Sequence, residues 1–276
     1  MGGGPQDLMP ATVITITSGK GGVGKTTATA NIAAALASAD QRVVCIDADI
    51  GLRNLDVVMG LENRIVYDLV DVVEGRCRLR QAMIKDKRLP ELQLIPAAQT
   101  RDKTAVSPQD MIRLVEELRP ECDYILVDSP AGIERGFRNA VAPADLVIIV
   151  TNPEVSSVRD ADRIIGLIEA EEKGPPKLVI NRVKADMVKR GDMLATQDIL
   201  EVLAIELIGV IPEDESVIVA SNRGLPTALD QRSRAGREFR NIARRIRGDN
   251  VPFEPLEDRD GFLGRLSRLV RPGGPS

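Results

Sequence analysis

Residues 19–27 read G-K-G-G-V-G-K-T-T, a run whose glycines and cations are spaced to hold a phosphate chain. Gly19, Gly24, Lys25 and Thr26 satisfy the pattern G-x-x-x-x-G-K-T, in which successive backbone N–H groups turn inward around phosphate oxygens. Lys25 would neutralise the β- and γ-phosphates, and the Thr26 hydroxyl would hold Mg²⁺. The candidate nucleotide contacts are therefore Gly19, Lys20, Gly21, Gly22, Val23, Gly24, Lys25, Thr26 and Thr27. Lys20, beside the first glycine, is one cation more than the pattern requires. Gly19, Gly21 and Gly24 also spell G-x-G-x-x-G, the dinucleotide fingerprint, with a strand ending at Asp47 downstream. That reading leaves Lys25 and Thr26 without a task, whereas a triphosphate gives each one.

Two groups of aspartates could complete such a site. Asp128 closes the apolar run 124–127 and precedes Ser129-Pro130-Ala131-Gly132, the arrangement in which a strand-end carboxylate reaches Mg²⁺ directly or through its water. Gly132 would let the following loop approach the γ-phosphate. Asp47 and Asp49 stand two residues apart past another strand end, on the same side if the chain stays extended. One could order the Mg²⁺ shell and the other the attacking water.

Positioning these groups takes strands and helices in alternation. A β-branched strand over 12–17 precedes the glycine loop, and an alanine-rich helix over 26–37 follows it, so the phosphates would meet a helix N-terminus. Further aliphatic strands are expected at 42–46, 92–95, 124–127, 146–150, 177–180 and 207–211. Their unbroken apolar character fits a mostly parallel sheet covered by helices on both faces. Asp47, Asp128, Thr151, Asn181 and Pro212 lie at strand ends, where open α/β folds bind ligands. The expected fold is a single α/β P-loop NTPase domain over 11–247, after a loose extension at 1–10.

The composition excludes other chemistry. The 276 residues carry a net charge of −4 and contain neither tryptophan nor histidine. Ser-His and Cys-His nucleophiles and histidine-held metals are thereby ruled out. Cys45, Cys77 and Cys122 are far apart, form no C-x-x-C pair and suit a reducing compartment. No apolar run reaches the ~18 residues a membrane span needs.

The glycine loop, with its extra lysine, resembles that of the ParA/MinD family of ATPases, which carry a deviant Walker A motif. Residues 47–56 (D-A-D-I-G-L-R-N-L-D), 84–88 (I-K-D-K-R), 128–134 (D-S-P-A-G-I-E), 151–160 (T-N-P-E-V-S-S-V-R-D) and 209–214 (G-V-I-P-E-D) are similar to the branch that determines the septum site. The likeness runs from about Val13 to the C-terminus. It implies an ATP-driven, Mg²⁺-dependent homodimer in which Lys20 reaches the partner's nucleotide. It further implies that Asp49 supports hydrolysis together with Lys20, Lys25 and Asn54, that Asp47, Asp128 and Thr26 organise Mg²⁺, and that Asn181 and Pro212 flank adenine. The partners it implies are a MinC-type division inhibitor, a MinE-type activator and anionic phospholipid. The location it implies is the cytoplasm and, reversibly, the inner face of the cell membrane.

The C-terminal segment has its own chemistry. Residues 248–260 carry five acidic residues and two prolines and read as a solvated tether. Within 261–276, Phe262, Leu263, Leu266, Leu269 and Val270 share one face of a helix, and Arg265, Arg268 and Arg271 lie largely off it. That is the pattern of a helix lying in a membrane interface. Full burial of five apolar side chains is worth at most about 7–15 kcal/mol. Ordering some ten residues costs about 1–2 kcal/mol each, so one copy binds marginally. Two copies on a dimer could raise avidity about 10²-fold.

A second basic stretch, 232–247, holds seven arginines around an inner face of Ala235, Phe239, Ile242, Ala243 and Ile246, and reads as a core-packing helix with a solvated outer side, the sharper alternative being an outer side that faces DNA or lipid. The rival function is a ParA-like partition ATPase binding DNA non-specifically, which would leave the amphipathic tail unexplained. The net charge of −4 argues against nucleic acid as a partner of a globally basic surface and leaves only a local patch for it. Electron transfer on the same fold would call for paired or bridging cysteines.

Overall fold

A computed structural model describes residues 10–102 and 104–254. The amphipathic segment 261–276 and residues 1–9 of the expected extension lie outside the described residues.

Strands form where the aliphatic runs stand: β1 (Thr12–Thr17), β2 (Val43–Asp47), β4 (Leu92–Ile95), β5 (Tyr124–Asp128), β6 (Leu146–Thr151), β7 (Lys177–Val183) and β8 (Glu206–Pro212). The short β3 (Ile84–Lys85) was not expected, because two residues carry no periodicity. One sheet runs in the order β3-β4-β2-β5-β1-β6-β7-β8, parallel throughout except for the β3–β4 pair. Strand residues alternate between the two faces. Ile14, Ile16, Cys45, Leu126 and Ile148 join one core, while Val13, Val44, Ile46, Ile125, Val127, Val147 and Ile149 point into the cores opposite.

Helices cover both faces. Towards the first core lie α1 (Lys25–Ala37), α2 (Leu55–Met59) and α11 (Arg234–Ile246). The opposite face carries α3 (Leu69–Val73), α4 (Leu79–Ala82), α5 (Pro108–Leu118), α6 (Arg135–Val141), α7 (Val155–Ala170) and α9 (Thr196–Leu203). The remaining helices, α8 (Ala185–Arg190) and α10 (Glu215–Asn222), follow the carboxyl ends of β7 and β8.

Every residue of α1 from Ala28 to Ala37 is buried, which explains its alanines: a helix enclosed on all sides needs small residues all round. α11 packs against it through Ala235, Phe239, Ile242 and Ala243. Its arginines do more than face solvent. Arg240 donates to the Ala228 carbonyl at 2.6 Å, and Arg245 to the Ile208 carbonyl at 2.9 Å on the edge strand β8.

The start of the acidic segment differs from a free tether. Arg245 also donates to the Val251 and Pro252 carbonyls at 3.0 Å each, and its guanidinium lies 4.1 Å from the centre of the Phe253 ring. Arg237 pairs with Glu254 at 2.8 Å. Residues 248–254 are thus held along α11, because arginines there offer donors and a cation to backbone and ring that composition alone reads as solvated.

Phe239 is 1% exposed at the centre of the α1–α11 contact. Phe239→Ala should lower unfolding free energy by about 3–5 kcal/mol in denaturant titration; a loss below about 1 kcal/mol would contradict this packing.

Candidate nucleotide and cation site

The glycine loop leaves the carboxyl end of the central strand β1 and enters α1. Gly24 stands at the N-cap with φ 97° and supplies no side-chain cap, so the first N–H groups of α1 remain for an anion. A side chain at Gly24 would collide with Asn181 at the end of β7. Asn181 instead donates to the Val23 carbonyl at 2.8 Å, and its own oxygen accepts from Arg182 N at 2.9 Å. The loop is therefore pinned from behind by a neighbouring strand end.

Beneath it the two strand-end aspartates stand side by side. Asp47 and Asp128 are register partners on β2 and β5, 0% and 1% exposed. Asp128 accepts from Thr26 Oγ1 at 2.7 Å and from Thr29 Oγ1 at 3.1 Å. Asp47 accepts from the backbone of Asp49 at 2.9 Å and of Leu55 at 3.2 Å, which ties the start of α2 to the sheet. Burial, with Asp128 next to it, raises the pKa of Asp47 despite those hydrogen bonds. Burial likewise raises that of Asp128, opposed by Lys25 and the two threonine hydroxyls. Two adjacent buried carboxylates and a threonine hydroxyl are hard oxygen donors short of positive charge, and they suit Mg²⁺. Lys25 Nζ lies 3.9 Å from Asp49, both largely buried.

A cleft of about 380 Å³ opens here, lined by the glycine loop, Lys25, Thr26, Asp49, Asn54 and Arg182, among others. The structure thus gathers Gly21, Gly22, Gly24, Lys25, Thr26, Thr27, Asp49 and Asn54 around one cleft, with Asp47 and Asp128 below. Lys20 does not line the cleft. Its Nζ reaches out to Ser156 Oγ at 3.2 Å and Glu154 at 3.4 Å, at the start of α7. Gly19 packs against the Asp160 backbone on the same helix. Pro212 lines a neighbouring pocket of about 350 Å³ with Val183, Lys184 and Glu213. Arg182 borders one pocket and Val183 the other.

Several contributors escaped sequence reading. Thr29 shares a helix face with Thr26 at i, i+3, so its spacing carried the signal. Arg182 follows Asn181 at a strand end. Pro130 and Ala131 line the cleft beyond Asp128.

Residues 14–227 match the CobQ/CobB/MinD/ParA nucleotide binding domain. The septum site-determining protein MinD of Bacillus subtilis (strain 168) is 57% identical over 256 residues, covering 92% of this chain and 96% of that one. The chain also resembles the Aquifex aeolicus MinC:MinD cell division protein complex, with TM-score 0.84 and 52% identity over 89% of this chain and 99% of that one. A third likeness is to the Pyrococcus horikoshii OT3 septum site-determining protein MinD complexed with Mg-ADP, with TM-score 0.77 and 27% identity over 86% of this chain and 96% of that one.

Asp47→Asn tests the buried carboxylate. Its folded pKa lies above the unfolded value, so the stability it contributes is fully present below the ordinary carboxylate range and is lost as pH rises through the folded pKa. The nucleotide-free variant should melt above the parent by a few degrees near neutral pH, with a smaller gain at about pH 4. Mg²⁺-dependent hydrolysis should fall at least about 10²-fold. An unchanged melting temperature at both pH values would contradict the assignment.

Proposed function

This chain belongs to the MinD family of ATPases, and from that premise we propose that ATP closes two copies into a membrane-attached dimer that helps place the division site. The observation that carries the proposal is the placement of Lys20. It is a half-exposed cation beside the phosphate loop that does not line its own cleft and, among the described residues, pairs with Glu154 and Ser156 at the surface. An ion pair so exposed is worth about 1 kcal/mol or less, so Lys20 can leave it for the nucleotide of a second subunit. Leu52, Ile133 and Val155 are exposed apolar side chains on segments around the same face, and they give a dimer apolar surface to bury.

Within each copy, the N–H groups of the loop and Lys25 hold the phosphates. Thr26, Asp47 and Asp128 would hold Mg²⁺, directly or through its water, and the ion supplies charge neutralisation at the β- and γ-phosphates. Asp49 and Asn54 face the same cleft and orient the attacking water; Asp49 lies 3.9 Å from the Lys25 ammonium. Adenine would extend past Asn181 and Arg182 towards Pro212.

The Aquifex complex pairs its MinD with MinC, and we assign this chain a division inhibitor of that kind and an activator of the MinE type. The amphipathic segment 261–276 is the reversible anchor on anionic lipid, engaged in pairs in the ATP-bound dimer and released after hydrolysis.

Removing 261–276 should abolish ATP-dependent co-sedimentation with anionic liposomes and leave ATP affinity intact; undiminished sedimentation would contradict the anchor. Lys20→Ala should keep ATP affinity within about threefold while losing dimer and sedimentation, whereas Lys25→Ala should lose all three. Equal loss of ATP affinity in both variants would remove the task assigned to Lys20.

A further inference from the structure

The segment 84–88, I-K-D-K-R, is far from the phosphate loop in sequence and lies at the sheet edge where β3 turns into β4. Asp86 is 2% exposed and is held below the usual carboxylate range: burial pushes it up, but hydrogen bonds from Arg88 and from backbone N–H groups outweigh it. It accepts from Arg88 Nη2 at 2.7 Å and Nε at 3.2 Å, and from the backbone N–H groups of Arg88 and Leu89 at 2.7 and 3.2 Å. Asp86 thus fixes the plane of one guanidinium.

That guanidinium has two further acceptors. Arg88 Nη2 donates to the Met59 carbonyl at 2.7 Å, and Nη1 donates to the Gly224 carbonyl at 2.7 Å. Met59 is the last residue of α2, and Gly224 lies just past the end of α10. The Met59 carbonyl is of the kind that helix ends leave unpaired, and a cation beside the carboxyl ends of both helices complements their dipoles. The two chain segments touch closely. Gly60 and Gly224 have φ 67° and 61°, and a Cβ on Gly60 would fall 2.7 Å from the Gly224 carbonyl oxygen.

The opposite ends of these helices frame the nucleotide region. α2 begins at its N-cap Asn54 and is tied to Asp47 through Leu55 N; α10 begins at Asp214, two residues after Pro212. α2 is five residues long; Leu55 and Met59 pack it into the first core, and each of its two ends is also gripped by a side chain. Asp47 grips the first and Arg88 the second.

We propose that Asp86 and Arg88 form a positioning pair for ATP hydrolysis: by joining the far ends of α2 and α10, they keep Asn54 and the loop from Asp49 to Asn54 aligned against the phosphate loop. The phosphate loop itself is pinned separately, through Asn181 and Val23. Loss of the pair therefore acts on turnover rather than on nucleotide affinity. The inference rests on Asn54 and Asp49 facing the nucleotide. Undiminished hydrolysis in Asn54→Ala would sink that reading, while hydrogen exchange in α2 reads the bracket independently.

The test uses the full chain and the variants Arg88→Met, Arg88→Lys and Asp86→Asn. Basal kcat, the Kd for ATP and the exchange rates of the Val58, Gly60 and Leu61 amides are measured alongside those of the central strands. Arg88→Met should lower kcat about tenfold, change Kd less than about threefold and speed α2 exchange about tenfold or more, with β1 and β5 amides still protected. Arg88→Lys should restore little, since one ammonium cannot span a carboxylate and two carbonyls in a fixed plane. Unchanged α2 exchange would overturn the proposal. So would faster exchange with unaltered kcat, or a joint loss of affinity, turnover and central-strand protection, which would mark the pair as general structural support.

Discussion

Two carboxylates that water cannot reach sit side by side at adjacent strand ends, and the site is organised around their shared negative charge. Asp47 and Asp128 are kept together by the parallel register of β2 and β5, and this burial would be costly in any fold that offered them nothing. The surroundings offset it in part: two threonine hydroxyls, two backbone N–H groups and, a turn above, the Lys25 ammonium. On the proposed function, the divalent cation that accompanies a nucleoside triphosphate would match these hard oxygen donors. Burial thus links the fold to its ligand, because the sheet that makes the carboxylates uncomfortable also aims them at the phosphate loop.

The same economy extends outwards through short elements. Thr26 and Thr29 come from the first turns of α1, and that helix is buried all round because α11 closes over it. Asp47 carries the first turn of α2, so any change in charge at the strand ends is felt by the segment bearing Asn54. Arg182 and Asn181, one residue apart, divide the labour, with one in the cleft and the other behind the loop.

Much of this was legible because it is local. A glycine loop between a β-branched strand and an alanine-rich helix announces itself, and an apolar strand ending in aspartate does the same. The longer strands could be read from their aliphatic runs, and α11 from its inner face of Ala235, Phe239, Ile242 and Ala243. What escaped depends on partners distant in sequence. Arg88 meets Met59 and Gly224 only because β3 returns along the sheet edge, and β3 is too short to show a period. Arg245 turns the first acidic residues after α11 from a presumed tether into a packed strap, through carbonyls and a ring that composition cannot place. The pairing of Lys20 with Glu154 and Ser156 is a property of tertiary placement, although its place beside the first glycine marks it as surplus.

The central claim, that paired buried carboxylates form the cation site, is tested most directly by counting protons. Mg²⁺-nucleotide binding is followed by calorimetry in buffers of different ionisation heat, for the parent and for Asp47→Asn. Burial and the neighbouring Asp128 raise the pKa of Asp47, so a cation taken up there displaces its proton, and the parent releases more protons than the variant near neutral pH. Equal proton release from the two proteins would contradict the account.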